Sequence, residues 1–197
     1  MYAFSAYNTL TYKNFSWYIE GDYKTHEAIL DNSNLLVDKP GDLEYTTMSI
    51  GKKGIALSLS GKRTNDFVMR TSPNEILLDG MLNRQPVIAV QRPERLIARY
   101  TPASQDISEL AGTANLNLSP NDVTNFILTY TNINTLDNQK LYREAYIEGN
   151  YQGLKSWLFQ VGAQYLEYNI LTYQVAPSHV DHPVLYAVTP FAEITYR

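Results

Sequence analysis

The amino-acid sequence predicts an all-β fold, an antiparallel up-and-down meander of about nine or ten long strands that forms a transmembrane β-barrel or part of one. Three observations predict it. Apolar and polar residues alternate with period two along segment after segment. Turn-forming residues separate those segments. Tyrosine dominates the aromatics, with 16 Tyr against 6 Phe and 2 Trp. Tyrosine favours strands and suits surfaces that are half wet and half apolar, which is where the aromatic girdles of membrane barrels lie.

The alternation is read element by element. A strand turns successive side chains to opposite faces. From Phe15 to Lys24, the positions Phe15, Trp17, Ile19, Gly21 and Tyr23 share one face, and Ser16, Tyr18, Glu20, Asp22 and Lys24 share the other. Ile55, Leu57 and Leu59 alternate with Ala56, Ser58, Ser60 and Lys62. Leu110, Gly112, Ala114, Leu116 and Leu118 oppose Ala111, Thr113, Asn115 and Asn117. Phe126, Leu128 and Tyr130 oppose Thr129 and Thr131, and Glu144 and Glu148 share a face on a further strand. Trp157, Phe159, Val161, Ala163 and Tyr165 oppose Ser156, Leu158, Gln160, Gly162 and Gln164. Tyr186, Val188, Pro190, Ala192, Ile194 and Tyr196 oppose Thr189, Phe191, Glu193, Thr195 and Arg197.

Turns are expected at Asp31-Asn32-Ser33-Asn34, Lys39-Pro40-Gly41-Asp42, Ser119-Pro120-Asn121-Asp122, Asp137-Asn138 and Gln152-Gly153. Ser119 to Asp122 and Gln152-Gly153 read as tight. Asp66 to Pro93 and Tyr173 to Pro183 read as long loops, the first with a short strand or helical turn around Asn74 to Leu78. Short turns at one end and long loops at the other suit a membrane barrel, as do strands near 9–11 residues. No internal repeat or domain boundary interrupts the chain, so residues 1–197 are read as one domain.

Composition removes several classes of function. The 44% hydrophobic and 18% charged content is that of a folded chain. A net charge of −4 offers no basic face for nucleic acid. With no cysteine there are no disulfides, thiolate metal sites or cysteine nucleophiles. Apolar runs such as Pro86 to Val90 are far short of the 18–20 residues a membrane helix needs. Met1 is followed directly by Tyr2-Ala3-Phe4-Ser5-Ala6-Tyr7, with neither a basic segment nor a long apolar one, so either the chain is a fragment or mature portion of an exported barrel or the membrane reading fails.

Alternation has two explanations. In a soluble sandwich the apolar face is the core, and in a membrane barrel it meets lipid while the polar face lines a lumen. The barrel reading makes Glu20, Asp22, Lys24, Lys62, Arg99, Glu144, Glu148, Gln160 and Gln164 lumen-lining residues. Other constellations are weighed and set aside. His179 and His182 flank Asp181, but no spacing assigns a third ligand, and a solvated loop explains them. Glu144 and Glu148 lie about 13 Å apart on one strand, too far for a glycosidase pair. Arg63, Arg92, Arg95 and Arg99 read as scattered rim charges. Ser58-Leu59-Ser60-Gly61-Lys62 lacks the first glycine of a phosphate loop. No catalytic residue, cofactor site or metal site is assigned.

Three stretches carry a resemblance: Asn14 to Lys24 (NFSWYIEGDYK), Gly54 to Arg63 (GIALSLSGKR) and Tyr142 to Gly149 (YREAYIEG). In their strand style they resemble a family of outer-membrane β-barrel proteins of unknown function from Bacteroidota, and the likeness covers most of the chain. It implies an outer-membrane location and the lipid bilayer as partner, with other outer-membrane or periplasmic proteins as further candidates. The family has no established catalytic residues to carry over. Its members are longer, carry an export signal and close a full barrel, and typical barrels end their last strand on an aromatic residue, whereas Thr195-Tyr196 is followed here by Arg197. The expected function is a non-catalytic pore, scaffold or docking barrel of the outer membrane. The alternatives are a soluble carbohydrate-binding β-sheet module and an outer-membrane enzyme with a lumen or rim site.

Overall fold

The structure, a computed structural model, describes residues 2–30, 35–67, 88–89, 108–173 and 183–196. Nine strands form one antiparallel sheet in sequence order. They are β1 (Ala3–Tyr12), β2 (Phe15–Leu30), β3 (Leu36–Lys52), β4 (Ile55–Asn65), β5 (Glu109–Asn121), β6 (Thr124–Thr135), β7 (Lys140–Tyr151), β8 (Trp157–Asn169) and β9 (Val184–Tyr196). One helical turn, α1 (Ile170–Tyr173), follows β8. Each strand pairs only with its neighbours in the chain, and β1 and β9 form the two edges, so the sheet is open.

The connections differ by end. Lys13-Asn14, Lys53-Gly54 and Asp122-Val123 make tight turns, and residues 152–156 a slightly longer one, all at the same end of the sheet. Gly54 takes φ 80 in its turn, where Gly51 N–H donates to the Asn14 carbonyl and Ser119 N–H to the Gly54 carbonyl at 2.7 Å. Only glycine adopts that φ without strain. The other end carries the longer links, 66–108 between β4 and β5 and 170–183 between β8 and β9.

Three expected turns need comment. Lys39-Pro40-Gly41-Asp42 is not a turn but lies inside β3. The β2–β3 register shifts between Lys24 and Glu27, which leaves Pro40 at the bulge, where its missing N–H breaks no regular ladder. Gly41 is buried there, and the Lys24 side chain and the Asp66 backbone approach so closely that a Cβ would collide with them. Ser119, Pro120 and Asn121 likewise belong to the end of β5, again at a register shift, and the turn is Asp122-Val123. Asp137-Asn138 lies in the β6–β7 turn as read, Gln152-Gly153 opens a five-residue link whose turn falls at 154–156 rather than forming a tight turn itself, and Asp31 to Asn34 lie outside the described residues.

The strands are also staggered. Along one cross-strand row, Tyr12 at the end of β1 aligns through Phe15, Ile50, Leu57, Leu116, Leu128, Ile147 and Ala163 with Pro190, well short of the end of β9 at Tyr196. Progressive stagger is what strands tilted against a common axis produce.

Candidate functional site

The register sorts every paired residue onto one of two faces, and the two faces are opposite in character. On the first, Ser16, Tyr18, Glu20, Asp22 and Lys24 of β2 align with Ser49, Thr47, Tyr45, Leu43 and Gly41 of β3. The same face continues across the sheet through Lys62, Thr113, Thr131, Glu144 and Gln164. This polar face is the buried one. Lys24 and Glu144 are 0% exposed, Thr131 0%, Lys62 4% and Gln164 4%. All eight predicted polar-face residues that the structure describes, namely Glu20, Asp22, Lys24, Lys62, Glu144, Glu148, Gln160 and Gln164, lie here. Arg99 lies outside the described residues, as do Arg92, Arg95, His179, His182 and Asn74 to Leu78.

Buried charges need partners, because desolvation otherwise costs more than folding can offset. The lysines find carboxylates: Lys24 Nζ stands 2.8 Å from Glu27 Oε2, and Lys62 Nζ 2.5 Å from Glu109 Oε1. The carboxylates of β2 and β7 take phenols two residues earlier on the same face. Tyr18 donates to Glu20 at 2.8 Å, Tyr142 to Glu144 at 3.1 Å, and Tyr146 to Glu148. Gln164 of β8 donates to Glu144, and Asn150 donates to Glu148 at 2.5 Å. Hydroxyl and amide pairs fill the centre, with Thr113 and Thr131 at 2.9 Å and Thr129 donating to Asn115 at 2.8 Å. The Tyr-x-Glu spacing at 18–20, 142–144 and 146–148 was a sequence signal for this arrangement. A period of two places both side chains on one face, so the phenol reaches the next carboxylate along the strand.

The second face is apolar and exposed. Ile19, Leu59, Ile147, Val161, Val188 and Ile194 are between 42% and 64% exposed. Its aromatics gather in two belts. Tyr12, Phe15, Phe126, Tyr151, Trp157 and Tyr196 lie towards the tight-turn end, and Phe4, Tyr23, Tyr165 and Tyr186 towards the other. Phe15 and Tyr23, or Trp157 and Tyr165, stand about 26 Å apart along their strands at ~3.3 Å per residue. Among the described residues, the charged side chains that this face carries above the first belt lie at or beyond the second belt, except Glu44 and Arg63, which face each other in the row of Gly21, two residues short of Tyr23. Arg63 reaches Asp42 in the Tyr23 row, and further charges lie past the second belt, where Arg143 Nε donates to Asn132 at 2.9 Å and Lys140 Nζ lies 2.8 Å from Glu167.

One apolar patch interrupts the polar face. Ile88 and Ala89, each 5% exposed, join a cluster with Ala111, Ile133, Leu141, Tyr142 and Leu166, against which Tyr45 and Tyr168 pack. Tyr45, Ala111, Ile133, Tyr142 and Tyr168 belong to a single cross-strand row that also contains Lys62. Part of the β4–β5 connection therefore rests on the polar face, rather than standing clear of the sheet as an external loop would.

No group of three or more His, Cys, Asp or Glu side chains among the described residues is placed to hold a metal ion. His26 is exposed and faces Asp38 at 3.2 Å. No helix among the described residues is long and apolar enough to cross a membrane. No family model matches the chain, and no curated protein matches it.

Proposed function

We propose that this chain forms the wall of an outer-membrane β-barrel, similar to the Bacteroidota barrels, whose apolar face meets lipid and whose polar face lines an aqueous interior. Its role is passive, as a pore or scaffold, without catalysis. The observation that carries this reading is the aliphatic band between two aromatic belts on the exposed face, charged only at Glu44 and Arg63 beside the second belt, backed by buried, partnered charges on the other. A soluble sheet puts its polarity the other way round, with aliphatics inside and lysines out. Exposed aliphatics in such number would make a large sticky patch in water, whereas in a bilayer they are solvated by hydrocarbon. The roughly 26 Å between belts, reduced by strand tilt, suits an apolar band of about 25 Å.

The test is partitioning. Membranes from cells making the full-length protein are washed with alkaline carbonate, then extracted with detergent. The reading expects the protein to survive the wash in the pellet and to need detergent for release. Release by carbonate, or a folded protein in the detergent-free soluble fraction, refutes it. Conductance of the purified protein in planar bilayers then separates pore from scaffold.

A further inference from the structure

Two strands carry the Tyr-x-Glu spacing on the polar face, and their surroundings differ. In β7 the groups are sealed, with Tyr142, Glu144, Tyr146 and Glu148 all 8% exposed or less. In β2 the same spacing lies open. Tyr18 and Glu20 are half-buried, and Tyr7 of β1, directly across from Glu20, is 73% exposed. Glu20 is ringed by phenols. Tyr7 and Tyr45 are its cross-strand partners on β1 and β3, and Tyr18 stands two residues earlier on its own strand. Directly opposed residues bring their Cβ atoms to ~4.5–5.5 Å, and same-face neighbours along a strand stand ~6.6 Å apart. The rings meet one another as well. Tyr7 and Tyr18 lie 6.3 Å apart at 29°, and Tyr18 and Tyr45 lie 6.1 Å apart at 59°. Tyr18 and Tyr45 therefore form two walls of a corner, and Tyr7 prolongs one of them.

The charge at this corner is negative. Asp22 follows Glu20 on the same face, two residues on. The lysines of this part of the face are already engaged, Lys24 with Glu27 at 2.8 Å and Lys62 with Glu109 at 2.5 Å. That leaves the carboxylates of Glu20 and Asp22 in surplus beside three ring faces. Among the described residues, neither has an ion-pair partner, and no Lys or Arg lies over any of the three rings. A ring face is the negative pole of the aromatic quadrupole, and it attracts a cation placed over it. A saccharide can use ring faces but gains nothing from two negative charges. A metal ion needs a closer set of ligands than two carboxylates, and the described residues offer none. An organic cation uses both the rings and the charge.

We propose that the corner of Tyr7, Tyr18 and Tyr45 around Glu20 and Asp22 is a binding site for a quaternary ammonium group such as that of choline. The methyl groups lie against the ring faces, and the two carboxylates balance the charge. A fully methylated nitrogen has no N–H to donate, so it asks for faces rather than acceptors. Glu20 can then keep the 2.8 Å bond it accepts from Tyr18 while the ligand is bound. The site belongs to the polar face alone. It stands whichever medium meets the other face, and it adds a ligand to a wall that otherwise acts passively.

The test is equilibrium dialysis of radiolabelled choline against the purified full-length protein, in a detergent without choline head groups. Two competitors accompany it: dimethylbutanol, the neutral analogue of choline with carbon in place of nitrogen, and maltotriose. Saturable choline binding is expected, with the neutral analogue competing about tenfold more weakly or worse and maltotriose not at all. Tyr7 is exposed on an edge strand, so Tyr7→Leu should keep the folded band on unheated gels while weakening choline binding about three- to tenfold. Tyr7→Phe keeps the ring and should bind as the wild type does. Glu20→Gln removes one of the two balancing charges and should weaken binding by about tenfold. Choline uptake that does not saturate, a neutral analogue that competes as well as choline, or unchanged affinity in Tyr7→Leu overturns the proposal. Displacement by maltotriose overturns it in favour of a saccharide site. None of these results bears on the carbonate wash, and a chain released by carbonate is dialysed in the same way without detergent, so the two readings fail separately.

Discussion

Gly162 shows how one residue on the polar face is held to a single side-chain size. It lies in β8 between Glu148 of β7 and Phe191 of β9. The Phe191 ring leans across the space that a Gly162 side chain would take and stacks on Tyr146, with centroids 5.7 Å apart. A Cβ on residue 162 would collide with that ring and with the Ile147 carbonyl. Gly162→Val is therefore expected to cost about 1–3 kcal/mol, the usual penalty of overfilling a packed site. Gly21→Ala, with nothing within 4 Å of the new methyl, is the matched control and should change little. Urea midpoints of the folded band on unheated gels measure both. The same ring isolates a second effect. Tyr146→Phe keeps the stack but removes the hydroxyl that donates to Glu148, leaving that 8%-exposed carboxylate with Asn150. A loss of about 1–3 kcal/mol is expected for a partly orphaned buried acceptor. An unchanged midpoint would mean that water serves Glu148 as well as the phenol does.

At the scale of the element, legibility followed the purity of the alternation. β2, β4, β5, β8 and β9 could be read because aliphatic and polar residues trade places without interruption. β1 and β3 were missed. β1 mixes Tyr7 with Ser5 and Thr9 on one face and Asn8 with Phe4 and Leu10 on the other, which blurs its pattern. In β3 the pair Pro40-Gly41 reads as a turn from local chemistry alone, and only the bulge in β2 explains why a strand tolerates it. The polar-face residues were legible for the same reason as the strands, since period two fixes the face once the strand is known. Which face would be buried was not legible, because alternation is the same for a core as for lipid. That ambiguity yields a prediction for β8. Val161, 62% exposed, lies between the belts. Val161→Lys should cost ~2–4 kcal/mol near a bilayer midplane. If the face meets water, the same change costs almost nothing and improves solubility. Equilibrium unfolding of the two proteins in lipid vesicles reads the difference directly.

For the whole molecule, the feature that joins the strands into one functional surface is the row of Tyr45, Lys62, Ala111, Ile133, Tyr142 and Tyr168 on the polar face, with Ile88 and Ala89 lying on it. The apolar run Pro86 to Val90 was visible in the sequence, but its partner was not, because the patch it meets is assembled from five strands that are distant in sequence and individually polar. Ile88 and Ala89 contribute hydrophobic contact to that patch, at roughly 25 cal/mol per Å² buried. A charge there removes the contact and cannot be solvated while docked. In a barrel whose polar face lines an aqueous path, a chain segment resting on that face narrows the path. Ile88→Asp is accordingly expected to raise single-channel conductance in planar bilayers and to make the β4–β5 connection more susceptible to added protease, while the urea midpoint of the strands shifts little. Tyr142→Ala, which deletes the other side of the contact, should produce the same increase in conductance together with a lower midpoint, since Tyr142 is fully buried and also serves Glu144. Equal conductance in the wild type and both variants would show that the contact lies off the conducting path, and the segment would then act only to brace the wall.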